Sequence, residues 1–150
     1  MMFAPKKILV PTDFSKYADA ALEKAVDIAS RSDTPIYLLH VIDEQIQQCA
    51  VDYCLSGELV KRFEKESVRS SRDRLKKEAE AIIKMKKVKV IFDVKKGVPS
   101  EAILSEQKTK KIDLIVIASH GKTGILKHLM GSVADKVVKG SKCPVLVVKP

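Results

Sequence analysis

The sequence predicts an α/β protein, a single domain built on a mostly parallel sheet with helices on both faces. Three observations carry that expectation. Five short segments are dense in Val, Ile and Leu, they alternate with stretches whose apolar residues recur at helical spacing, and they are apolar on both faces, as doubly covered strands are. At 150 residues the chain suits one domain over 1–150, large enough to bury roughly 70% of the surface its unfolded form exposes.

The elements follow in order. Lys6 to Val10 forms the first strand and leads through Pro11-Thr12-Asp13 to a helix from Ser15, whose inner face is Ala18, Ala21, Leu22, Ala25, Val26 and Ala29. Pro35 to Val41 is the second strand. A polar, glutamine-bearing stretch precedes a long helix from about Ser56 to Lys86, with Leu75, Ala79, Ile82 and Ile83 inward. The third strand spans about Val88 to Val94, and the third helix starts near Pro99, a residue suited to a first turn. Ile112 to Ile117 is the fourth strand. A short helix after Ser132 and a strand from Pro144 to Val148 complete the alternation, without internal repeat, linker or low-complexity segment.

Between the fourth strand and the short helix lies Ala118 to Ser132, read as Ala-Ser-His-Gly-Lys-Thr-Gly-Ile-Leu-Lys-His-Leu-Met-Gly-Ser. A connection of that length without structure of its own is uncommon in a compact domain unless it forms a site. Ser132 is expected to cap the helix with Asp135 reaching back, and Gly140 to close it in a left-handed conformation. Gly131 lets a ligand approach the backbone. Free amides and the positive end of the helix dipole favour an anion there by about 0.3–2 kcal/mol.

Two familiar phosphate loops do not fit. His120-Gly121-Lys122-Thr123 imitates the end of a Walker A loop, but Val116, inside the strand, stands where that loop needs glycine. The Rossmann fingerprint lacks its third glycine after Gly121 and Gly124. The spacing that fits is Ala118, two residues, Gly121, nine residues, then Gly131-Ser132. It resembles the universal stress protein signature, with alanine at 118 where that family has glycine. The resemblance covers essentially the whole chain. Lys7-Ile8-Leu9-Val10-Pro11-Thr12-Asp13-Phe14-Ser15 is similar to the family's first strand and its acidic end, and Leu38-Leu39-His40-Val41-Ile42-Asp43 to the second. Gly97-Val98-Pro99-Ser100-Glu101-Ala102-Ile103 matches the turn into the third helix, and Cys143-Pro144-Val145-Leu146-Val147-Val148 the closing strand.

The resemblance implies an open five-stranded parallel sheet with strand order 3-2-1-4-5. The switch point then falls between strands one and four, where ligands of such sheets bind outside the carboxyl ends. It also implies a nucleotide site lined by Pro11, Thr12, Asp13, Val41, Ile117 and Ala118. Asp13 would meet a ribose hydroxyl or a metal bridging phosphates, Val41 would wall an adenine ring, and Gly121, Gly131, Ser132 and the Val133 amide would hold phosphates. His120 lies in the same loop, within reach of a phosphate. ATP with Mg²⁺ is the implied ligand, with no metal site of the protein's own.

Composition bounds the alternatives. The formal net charge of +9 invites a nucleic-acid reading, with lysines at 84, 86, 87, 89, 95, 96, 108, 110 and 111. Those positions are read as helix ends and loops beside strands, and no aromatics interleave with them for base stacking, which argues against specific nucleic-acid binding. The charge still raises encounter rates with small polyanions. No apolar stretch has membrane-spanning length and no secretion pattern opens the chain, so a cytoplasmic protein is expected. Cys49, Cys54 and Cys143 include no CxxC pair, which suits ordinary thiols rather than a disulfide framework or zinc. Asparagine is absent, and Lys and Glu are many, a composition that suits a hot environment.

Catalytic machinery is not visible. His40 reads as a satisfied core residue, His128 falls in the loop, and no Ser, Cys or acid stands at an interpretable spacing from His120 to make a nucleophile–base pair. The reading is a nucleotide-binding regulatory protein, at most a slow ATPase or self-phosphorylating switch, acting on an unknown regulatory protein partner. It is expected to form a homodimer through Val145–Val148, an apolar edge that a monomer leaves unpaired. A nucleotide-free dimeric interaction module of the same fold is the alternative. A phosphoryl- or adenylyl-transfer enzyme ranks last, for want of a base or arginine finger.

Overall fold

The computed structural model describes residues 3–44, 57–121 and 130–150. Cys49, Cys54 and His128 lie outside the described residues. Five strands and, among the described residues, four helices alternate along the chain. They are β1 (Ile8–Pro11), α1 (Lys16–Ser32), β2 (Ile36–Asp43), α2 (Gly57–Lys86), β3 (Val90–Gly97), α3 (Pro99–Thr109), β4 (Leu114–Ala118), α4 (Ser132–Gly140) and β5 (Val145–Val148). All pairings are parallel and the strand order is β3-β2-β1-β4-β5, the 3-2-1-4-5 order that the family resemblance implies.

Alternation along the strands builds two cores. Ile8, Val10, Ile36, Leu38, Leu114 and Val116 face α1 and α2, meeting Ala21, Leu22, Ala25, Leu75 and Ala79. Leu9, Leu39, Ile115 and Ile117 point the other way, against Ile103 of α3 and Ala134 and Val137 of α4. Side chains two residues apart share a face of a strand, so each strand feeds both layers, and this is why the strands read as continuous apolar runs. Helix α1 starts at Ser15, whose hydroxyl accepts the Ala18 amide at 3.2 Å, and ends at Asp33 with φ 51°, ψ 42°. Pro99 occupies the first turn of α3, as expected.

Several details differ from the sequence reading. Strand β3 runs to Gly97, so Lys95 and Lys96 are strand residues and not loop cations. Lys95 is paired with the carboxylate of Glu106, which is only 3% exposed, and Lys96 lies 3.5 Å from Glu64 of α2. The Glu106 hydrogen bond holds the Lys95 ammonium above its usual pKa. Ile83, expected inward, is exposed, while Ile82 beside it packs on the core. Gly140 ends α4 without a left-handed turn: the next residue, Ser141, is extended, and a Cβ on Gly140 would stand 2.6 Å from Leu104 Cδ1. That glycine is there to bring α4 close to α3.

Candidate functional site

Strands β1 and β4 are in register only at Ile8↔Leu114 and Leu9↔Ile115, so the sheet is unpaired between their carboxyl ends. Pro11, at the end of β1, has no N–H to extend the ladder. Helix α1 leaves β1 toward one face and α4 follows β4 on the other, which makes this gap the switch point of the fold. Most of the residues proposed from sequence gather here.

The turn from β1 to α1 is tightly bonded. The Thr12 amide donates to the Leu39 carbonyl at 2.8 Å, and its carbonyl lies 2.7 Å from His40 Nδ1. Thr12 Oγ1 accepts the Phe14 amide, and Asp13 Oδ1 accepts the Ser15 amide, both at 3.0 Å. Across the gap, a Cβ on Gly121 would stand 2.9 Å from Asp13 Oδ2. The first strand's acid and the loop after β4 are therefore in contact, and only a glycine fits at 121 without moving the carboxylate.

On the β4 side, Ile117 is buried and Ala118 closes the strand, paired with Val148. Ala118 is not among the residues with positive φ, so its methyl group carries no backbone strain. The loop stems are pinched where the Gly131 amide donates to the Ser119 carbonyl at 2.6 Å. A Cβ on Gly131 would lie 3.1 Å from that same oxygen. Neither Gly121 nor Gly131 has a left-handed φ, so both are needed for space rather than for conformation.

Gly131, not Ser132, is the N-cap of α4, and no side-chain cap bond is made at this end among the described residues. The sequence reading of a Ser132–Asp135 capping box is thereby corrected. Asp135 gives its backbone amide to the Gly131 carbonyl at 2.9 Å, and its carboxylate meets Lys139 Nζ at 2.9 Å. The amides of Ser132, Val133 and Ala134, preceding that first helical bond, have no intrahelical partner, and Ser132 is exposed. Such an end attracts anions.

Val41 is not at the end of its strand. It stands two residues past Leu39, the partner of Pro11, and so overhangs the end of β1 with its side chain against the α3/α4 core. One pair was missed from sequence: Ser119 Oγ and His120 Nδ1 are 2.7 Å apart, a serine–histidine hydrogen bond between neighbours, with Tyr17 6.1 Å from the imidazole. Two adjacent residues have no spacing that would announce the contact. Ser119 is 4% exposed, which makes it an anchor for the imidazole rather than an available nucleophile. Among the described residues no cluster of His, Cys, Asp and Glu could hold a metal, and no helix is long and apolar enough to cross a membrane.

Comparison with known proteins agrees with this geometry. The profile of the universal stress protein family matches residues 5–149. A universal stress protein of Methanocaldococcus jannaschii is 38% identical over 144 residues, covering 96% of this chain and 82% of the relative. A second protein of that organism, of solved structure, is 36% identical with a TM-score of 0.78, over 99% of this chain and 98% of the other. A universal stress protein from Archaeoglobus fulgidus, solved in complex with dAMP, shares the fold at 21% identity and a TM-score of 0.66, covering 99% of this chain and all of the other.

Proposed function

The chain belongs to the universal stress protein family, and on that footing we propose that it is a regulatory protein that binds ATP with Mg²⁺ at the switch point. One observation carries the reading: the carboxylate of Asp13 meets the backbone at Gly121 beside the start of α4, which has no side-chain cap among the described residues. A carboxylate suited to a ribose hydroxyl or a phosphate-bound cation thus stands near first-turn amides that have no intrahelical partner and suit phosphate. The relative's complex with dAMP supports a nucleotide as the class of ligand. The residues fit the group. Asp13 is a single hard oxygen donor, which suits Mg²⁺ carried mainly by phosphates and water. The magnesium would neutralise phosphate charge.

Turnover is slow in this reading, because the imidazole of His120 is anchored by a buried serine and no group of three or more His, Cys, Asp and Glu able to hold a metal is found among the described residues. Calorimetry with ATP and Mg²⁺, together with mass spectrometry of the nucleotide that co-purifies, tests it. Binding with turnover far below the enzyme median of about 10 s⁻¹ supports a regulator; turnover near that rate makes it an enzyme. No binding at millimolar ATP favours the nucleotide-free interaction module, for which the exposed Leu146 on edge strand β5 speaks.

A further inference from the structure

His40 is more than a satisfied strand residue. A carbonyl oxygen only accepts, so the 2.7 Å contact with the Thr12 carbonyl requires the proton on Nδ1. Strand β2 therefore holds Thr12 by both backbone groups, its amide through the Leu39 carbonyl and its carbonyl through His40. The held carbonyl belongs to the peptide that leads into Asp13. The next residue, Phe14, has φ 64°, a left-handed conformation that a bulky side chain rarely adopts and that persists only where its surroundings enforce it. Those surroundings are visible: the Phe14 ring lies 4.4 Å from the His40 imidazole and 4.4 Å from the Arg74 guanidinium of α2.

We propose that His40 is a positioning residue for the nucleotide site, fixing through the Thr12 carbonyl the peptide that aims the Asp13 carboxylate across the gap toward Gly121. The inference rests on the nucleotide reading above and deepens it. In this role His40 acts through Thr12 and Asp13.

The experiment is a calorimetric comparison of ATP–Mg²⁺ binding by wild type, His40→Phe, His40→Asn, Asp13→Ala and the double variant His40→Phe/Asp13→Ala. Phenylalanine keeps a ring against Phe14 but donates nothing, and leaves the buried Thr12 carbonyl unpaired; affinity should fall about tenfold. Asparagine places an amide donor near the position of Nδ1, and should restore affinity to within about threefold of wild type. In the Asp13→Ala background the His40→Phe change should cost less than half its single-variant effect on a logarithmic scale, because the group it positions is gone. Unfolding midpoints read in parallel separate a folding defect from lost aim: His40→Asn matching His40→Phe in affinity while folded overturns the proposal. Additive losses, or His40→Phe binding like wild type, overturn it as well while leaving the nucleotide reading intact. Failure of wild type to bind overturns both.

Discussion

Ala118 is the position at which the chain departs from the family's glycine pattern, and the backbone there decides how much the departure matters. Its φ is that of an ordinary strand residue, so removing the methyl group releases no strain. Ala118→Gly should bind ATP with wild-type affinity or up to about threefold more tightly, through closer approach alone. Gly131 is the opposite case. With Ser119 O already 3.1 Å from the place of its Cβ, Gly131→Val must push the loop stem away and disturb the first amides of α4. Affinity should fall at least about tenfold. Titration calorimetry on the two variants checks the pair, and equal affinities would remove the loop from the site.

The contact between α1 and α2 contains a group that makes stability depend on pH. Glu78 of α2 is partly buried, and its Oε2 has no hydrogen-bond partner among the described residues. Burial first, and then the charge of Asp19 on α1, raise its pKa above the ordinary 4.5, with Arg74 pulling the other way. A raised carboxyl pKa means that the fold favours the neutral form. Its contribution is complete below the unfolded pKa and is lost as pH rises through the folded one, so ionised Glu78 weakens the fold at neutral pH. Glu78→Gln cannot ionise. Its urea midpoint should exceed that of wild type at about pH 7 and approach it near about pH 4. Parallel pH profiles for the two proteins would exclude Glu78 as the source.

For the whole molecule, the outer edge of β5 is the surface that bears on assembly. Among the described residues that strand pairs only with β4, and Leu146 is 40% exposed while Val145 and Val147 pack inward. An unpaired apolar edge invites a second copy. We propose the homodimer on that edge, and the burial pattern selects the probe: Val147→Lys would also injure the core, whereas Leu146→Lys changes an exposed side chain. Sedimentation or native mass spectrometry should give a dimer for wild type and a shift toward monomer for Leu146→Lys. A wild-type monomer at micromolar concentration refutes the dimer.

Sequence by itself determined the alternation of strands and helices, because side-chain burial on doubly covered strands and on helix faces repeats at short range. It also determined that Asp13 and Gly121 follow apolar strands, and so lie at carboxyl ends. The strand order was legible only through family resemblance, since pairing between β1 and β4 joins segments about a hundred residues apart and local periodicity is silent about partners. Tertiary structure alone decided the rest. Lys95 and Lys96 look like loop residues until Glu106 and Glu64 arrive from two different helices to neutralise them. Gly140 looks like a helix stop until Leu104 fills the space where its side chain would be. His40 looks like a core residue until the Thr12 carbonyl, from another strand's end, reaches its ring. In each case the deciding force is a contact distant along the chain, and such contacts exist only once the chain has folded.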